Sequence, residues 1–285
     1  MHRVAFDPFL RVPLPTTHPT AAAAISEIVK QGKNIRVFGF GYYDRLITYY
    51  KVPSIVPRLV EEIFPPLAQN HGVRILSLEL MSAEWNSAIQ EYLSSSGRVV
   101  SDLLRKVPDG MGMALLEGAL SLYQSGLLLR VEGTHVSKSE AFQLRMMGMT
   151  GMWLQLTVDA INRHTVDSAR RALQEGVKIA LFNGMAHTTP EYMGEEDGIR
   201  NPSYIPSLLS ETAQAGLSSD EFIAIRLIAP ETLGPTDRNW KHRIDDYGYR
   251  LRAPQTGVHL RQDDDQGFTL VFSEKTTARH GLDTG

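Results

Sequence analysis

Four stretches of this chain end in side chains able to move a proton, hold a cation or grip a polar substrate. Tyr42, Tyr43 and Asp44 follow one apolar run, and Glu79 stands inside Leu78-Glu79-Leu80. Glu132 and His135 are three residues apart. Asn183 and His187 close a fourth run. Carboxylates paired with histidines are the usual inventory for general acid–base catalysis or for a metal site. Each also has a structural reading. Glu79 fits a buried ion pair, since an ionisable group in an apolar strand is costly unless partnered. His187 fits a plain loop residue, Thr134 beside Glu132 fits a cap, and the two tyrosines fit packing.

These residues act together only if the elements carrying them converge. Apolar runs at 34–39, 73–80, 127–131 and 177–182 read as strands. Helices are expected at 21–30, 45–50, 56–69, 83–93, 111–125, 137–148 and 158–174, the last closed by Gly176. The strands are continuous apolar runs rather than alternating ones, the pattern of a parallel sheet covered on both faces. All four strand ends then share one edge, where ligands bind in open α/β sheets. Glu79, His187, Glu132 and His135 are the expected catalytic groups. Tyr42, Tyr43, Asp44 and Asn183 are the expected substrate contacts, joined by Arg163, or its neighbour His164, from the long helix.

The fold class expected is α/β: a mostly parallel sheet with helices on both faces, plus a C-terminal antiparallel β ribbon. Residues 1–19 read as an extended segment and 20–230 as the α/β domain. The domain ends with a long polar loop at 188–204, a helix near 205–215 and a strand near 222–228. Residues 231–278 read as a β-rich appendage with strands near 247–251, 257–261 and 268–272, and 279–285 as a disordered tail.

Of 285 residues, 42% are hydrophobic and 21% charged, enough for a full core and too apolar for a disordered chain. The net charge of -3 comes without a long basic run, so nucleic acid is not an expected partner. With no cysteine, disulfides, thiol catalysis and Cys-based zinc sites are excluded. Glu117, Gln124 and Arg130 interrupt the apolar stretch 110–131, so no membrane span is expected, and a cytoplasmic location follows. Gly39-Phe40-Gly41 lacks the third glycine of a dinucleotide loop, since Asp44 stands there. Asp263-Asp264-Asp265 lacks the spacing of a calcium loop. Met146, Met147, Met149 and Met152 suit an adaptable apolar pocket or a helix packed on the core. No nucleophile elbow, P-loop or H-E-x-x-H occurs.

The order of the strand-end motifs resembles the ChaN-like, Tiki/TraB-like and erythromycin-esterase-like α/β superfamily. In that group a first strand ends in G-E-x-H, a second in Glu, and a late strand, after a Gly-Lys step, in G-x-x-H. Gly176-Val177-Lys178 through Gly184-Met185-Ala186-His187 is similar to the late motif, and Leu76-Ser77-Leu78-Glu79 to the second. Gly39-Phe40-Gly41-Tyr42 takes the place of the first, with Phe40 and Tyr42 where the family has Glu and His. The resemblance covers about residues 30–190 and includes hydrolases and a haem-binding branch. It implies either a diverged hydrolase using Glu79, Glu132, His135 and His187, or a binder of haem or another flat apolar ligand, held by Tyr42 or His187. A divalent metal or haem is a possible cofactor, and no particular metal ligand set is assigned. A third reading is an interaction component of a multi-enzyme pathway. The first two readings take a small molecule as ligand or substrate.

Overall fold

The computed structural model describes residues 15–31, 34–42, 54–106, 111–147, 153–184, 221–230, 254–262 and 267–273. Thr20 opens the first helix, α1 (Ala21–Gln31), its Oγ1 accepting the Ala23 N–H at 3.1 Å. Strand β1 (Thr16–His18) precedes it, and β2 (Val37–Tyr42) follows. Helix α2 runs through Val56–Arg58, a π-helical turn at Leu59–Ile63 and Phe64–His71. Pro65 and Pro66 donate no N–H, and the ladder just ahead of them widens so that the Phe64 N–H reaches Leu59 O.

Next come β3 (Val73–Ser82), a short 3₁₀ turn at Ala83–Trp85, α3 (Asn86–Ser94) and α4 (Met111–Gln124). They lead to β4 (Arg130–His135), α5 (Lys138–Met147), α6 (Trp153–Gln174) and β5 (Lys178–Gly184). The last strands are β6 (Phe222–Ile228), β7 (Val258–Gln262) and β8 (Gly267–Phe272). As expected, Gly176 closes α6, taking φ +74° where a side chain would be strained, with its N–H on Leu173 O and that of Val177 on Ala172 O.

The eight strands among the described residues form one sheet in the order β1-β7-β8-β6-β2-β5-β3-β4. Its two antiparallel pairings are β1–β7 and β7–β8, so β7 alone runs against the rest. The fold is therefore α/β with a mostly parallel sheet. The expected C-terminal ribbon exists, but β8 pairs parallel with β6, so the ribbon is hydrogen-bonded into the sheet rather than packed upon it. No described helix is long and apolar enough to cross a membrane.

Phe38, Phe40, Leu76, Leu78, Ala180 and Phe182 form one face of the sheet and share a core with α1 to α4. On the other face Val37, Ile75, Ile179 and Leu181 pack against Val166, Ala169, Ala172 and Leu173 of α6. The exposed edge at β4 is blunted by Asn86. Its Oδ1 accepts the Gly133 N–H at 2.6 Å, and its Nδ2 donates to Gly133 O at 3.4 Å.

Some boundaries differ from expectation. Leu127-Leu128-Leu129 is not a strand. The Leu127 and Leu128 N–H groups close the end of α4 on Leu122 O, and Leu129 bonds Arg74 O. Strand β4 begins at Arg130, which moves Glu132 from beyond a strand to its interior. Helix α6 begins five residues earlier than its periodicity suggests. The expected elements at 45–50, 188–204, 205–215 and 247–251, the Asp263–Asp265 run and the tail lie outside the described residues.

Candidate active site

Strand alternation decides which candidates share a face. Leu78 lies in the core under α1 to α4, so Glu79 points to the opposite face, toward α6. Phe182 lies in that same core, so Asn183 also turns toward α6, where its Nδ2 donates to Thr165 Oγ1 at 3.2 Å. The Gly184 N–H donates to Glu79 Oε2 at 2.6 Å, tying the ends of β3 and β5 together. Glu79 is only 6% exposed and Asn183 is fully buried.

The polar surface extends beyond these two. Ser77, Glu132 and Thr134 are buried on the sheet side, and Asn162, Thr165 and Ser168 are buried on α6, one turn apart. Thr165 donates to Ile161 O, a back-bond within its own helix. The result is a buried polar layer between the strand ends and one helix. The side chains of Asn162, Thr165 and Ser168 were not among the expected site residues. Their signal is visible in the sequence, as polar residues at i, i+3 and i+6 on the helix face that also carries Val158, Ala169 and Ala172.

Glu132 is as buried as Glu79 and is fully engaged. It accepts hydrogen bonds from Ser168 Oγ, Arg130 Nε and Arg171 Nη2, the last at 2.9 Å. Arg130 also forks onto Glu175, at 2.6 and 3.0 Å. Burial pushes the Glu132 carboxyl up, but the Ser168 and Arg130 hydrogen bonds and the Arg171 charge outweigh it and hold it below the ordinary carboxylate range. Glu132 is thereby fixed as an anion. A surface pocket of about 440 Å³ lies beside it, lined by Asn86, Gln90, Arg130 and Arg171 among others.

The remaining candidates disperse. His135 is exposed, and its Nδ1 donates to Val136 O at 3.0 Å. Arg163 lies on the exposed side of α6. The neighbouring His164 is the one that turns inward, its Nδ1 donating to Thr134 O at 3.3 Å while Nε2 lies 3.4 Å from Glu140. Tyr42 is 1% exposed and belongs to the apolar core on the face opposite Glu79. Tyr43, Asp44 and His187 lie outside the described residues. Met146 and Met147 are exposed at the end of α5, with Phe142 one turn before Met146, whereas Met149 and Met152 lie outside the described residues.

Among the described residues no three His, Asp or Glu side chains converge to hold a metal ion, and Glu79 alone does not fit one. Of the two expected haem ligands, Tyr42 belongs to the apolar core and His187 lies outside the described residues. A buried carboxylate held by a backbone N–H is a group able to take up and release a proton.

No protein-family model matches the chain. One curated protein is similar in sequence, the Holliday junction branch migration complex subunit RuvA of Bordetella avium. It is 29% identical over 168 residues, 58% of this chain and 86% of that protein. Among solved structures, the type III effector HopBA1 matches over 94% of this chain and all of its own length, with a TM-score of 0.47 and 13% identity. An erythromycin esterase variant in its open conformation matches over 76% and 77%, with a TM-score of 0.47 and 11% identity. ChaN of Campylobacter jejuni, described with cofacial haem, matches over 72% and 85%, with a TM-score of 0.42 and 12% identity.

Proposed function

We propose that this chain is a hydrolase-like α/β enzyme acting on a small molecule, with Glu79 as the acid–base group at the C-terminal edge of the sheet. One observation carries the reading. A buried glutamate near the C-terminal end of β3 is bonded to the Gly184 backbone N–H of the neighbouring strand β5, next to Asn183 and at the margin of a polar layer.

In this reading Glu79 removes a proton from an attacking water and returns it to the leaving group. The Gly184 N–H fixes the carboxylate, and Asn183, bonded to Thr165, stands beside it. His187, three residues beyond Gly184 and within about 10 Å of chain reach, supplies the second acid–base group. Glu132 and His135 are supporting rather than reacting groups, with Glu132 anchoring β4 to α6. The chain is a diverged relative of the superfamily its motifs resemble, working without the usual first Glu–His pair. It acts in the cytoplasm on a small-molecule substrate, with neither nucleic acid nor membrane as partner.

Glu79→Gln tests this directly, because the amide oxygen still accepts the Gly184 N–H while the base is lost. On a panel of activated aryl esters, turnover is expected to fall by ~100-fold or more, the usual contribution of a positioned base, with the circular dichroism spectrum unchanged. Unaltered turnover would sink the assignment.

A further inference from the structure

The strand register places a row of side chains across the sheet on the face that carries Glu79. Asn183 on β5 stands opposite Gly41 on β2, and Gly41 opposite Arg226 on β6. Arg226 in turn stands opposite Thr269 on β8, and Thr269 opposite Arg261 on β7. Alternation confirms the common face. Phe40 and Tyr42 around Gly41, Ile225 and Leu227 around Arg226, Phe268 and Leu270 around Thr269, and Leu260 before Arg261 all belong to the opposite core.

The row is polarised. A carboxylate and an amide, Glu79 and Asn183, stand on one side of Gly41, and two guanidiniums with a hydroxyl between them stand on the other. Arg261 is only 6% exposed and Thr269 is fully buried, so this end is part of the interior. One step earlier on β2 the geometry is closed, because a Cβ on Gly39 would lie 2.9 Å from the Phe222 ring. With strands about 4.8 Å apart, the Cα atoms of Asn183 and Arg226 are separated by about 10 Å across Gly41, the span of a small metabolite.

We propose that Arg226 and Arg261, with Thr269 between them, bind an oxyanion of the substrate, a carboxylate or phosphate, whose remainder lies over Gly41 toward Glu79. The substrate class is thereby anionic. Both arginines and Thr269 already engage other groups of the chain. A guanidinium has five N–H donors in a planar fork, so an engaged one still grips an oxyanion. The assignment rests on the strand-edge site proposed above.

The test is calorimetric titration of the full chain with inorganic phosphate and, separately, with succinate, at low salt. Saturable binding of at least one is expected, weakened ~10-fold or more in Arg226→Gln by loss of a charge-assisted pair. Binding is expected to be unchanged in Arg170→Gln, a surface variant. Thr269→Val, which keeps the side-chain shape, should weaken binding ~5-fold through one lost hydrogen bond, and it serves if Arg226→Gln does not fold. Phosphate binding without succinate binding assigns a phosphate group, and the reverse a carboxylate. Binding of neither at millimolar concentration, or equal binding by the Arg226 and Thr269 variants, overturns the proposal. Glu79→Gln separates the two readings. Loss of turnover with phosphate binding retained supports both. Turnover indifferent to Glu79, with binding still dependent on Arg226, leaves the anion site standing and the hydrolase reading fallen.

Discussion

On one face of the sheet Phe38, Phe40, Leu76, Leu78 and Phe182 meet the helices α1 to α4 through carbon alone. On the other face Ser77, Glu79, Glu132, Thr134 and Asn183 are buried, and Glu132, Asn183 and the Thr134 carbonyl meet α6 through oxygen and nitrogen. Both faces are equally buried, yet they differ in what burial does for them. The apolar face stabilises in proportion to the area it removes from water. The polar face must first recover the hydration its groups lose, and it does so only where every group finds a partner. Glu132 achieves this with three donors, whereas Ser77 Oγ finds no partner among the described residues. A fold that keeps such a layer beside its strand ends retains groups that stability alone would not select.

The comparison is most sharply tested at Phe182. Its ring stacks on Phe40 at 4.9 Å and meets Phe64 edge-on at 4.9 Å. Phe182→Ala should cost about 3–5 kcal/mol in urea unfolding, the usual range for emptying an aromatic site in a core. A loss below about 1 kcal/mol would mean that the apolar face does not dominate stability.

Glu132→Gln comes next, at about 2 kcal/mol at neutral pH, since it removes charge-assisted bonds from two arginines that are themselves partly in water. Its sign with pH follows from the lowered carboxyl. The wild-type advantage is complete above the ordinary value of 4.5 and disappears as pH falls through the still lower folded value. Unfolding curves of the two proteins should therefore converge in acid. A gap that persists there would assign the cost to packing rather than charge.

The parallel sheet was legible because strands covered by helices on both faces are apolar on both, and the runs 73–80 and 177–182 are mostly so. The helix end at Gly176 was legible because only a glycine tolerates that turn without strain. The strand boundaries were not. Leu127-Leu128-Leu129 is as apolar as any strand, and only the hydrogen bonds of a helix end, set by tertiary structure, divert it. Of the candidate site, Glu79 and Asn183 were found together because both end strands that turned out to be neighbours. Tyr42 was misplaced because its strand extends further than expected, so alternation sends its ring into the core. The partner helix face at Asn162, Thr165 and Ser168 was missed, because polar residues at helical spacing ordinarily face solvent. Sequence alone does not say which face of α6 meets the sheet.

The smallest expected effect discriminates most finely between the two faces. Ser77 is fully buried, opposite Leu181 and Glu132 in register, and its Oγ has no hydrogen-bond partner among the described residues. A hydroxyl in that position loses water and gains nothing, so Ser77→Ala should stabilise the protein by up to about 1 kcal/mol, reading as a raised urea midpoint with an unchanged slope. If instead Ser77→Ala is destabilising by about 1 kcal/mol or more, the hydroxyl is bonded in solution, and an ordered water joining Ser77 to the Glu132 end of the layer is the simplest group able to bond it. The polar face would then be a hydrated path leading from the surface beside Arg171 toward Glu79, rather than a set of imperfectly paired groups, and its retention would follow from proton supply to the carboxylate.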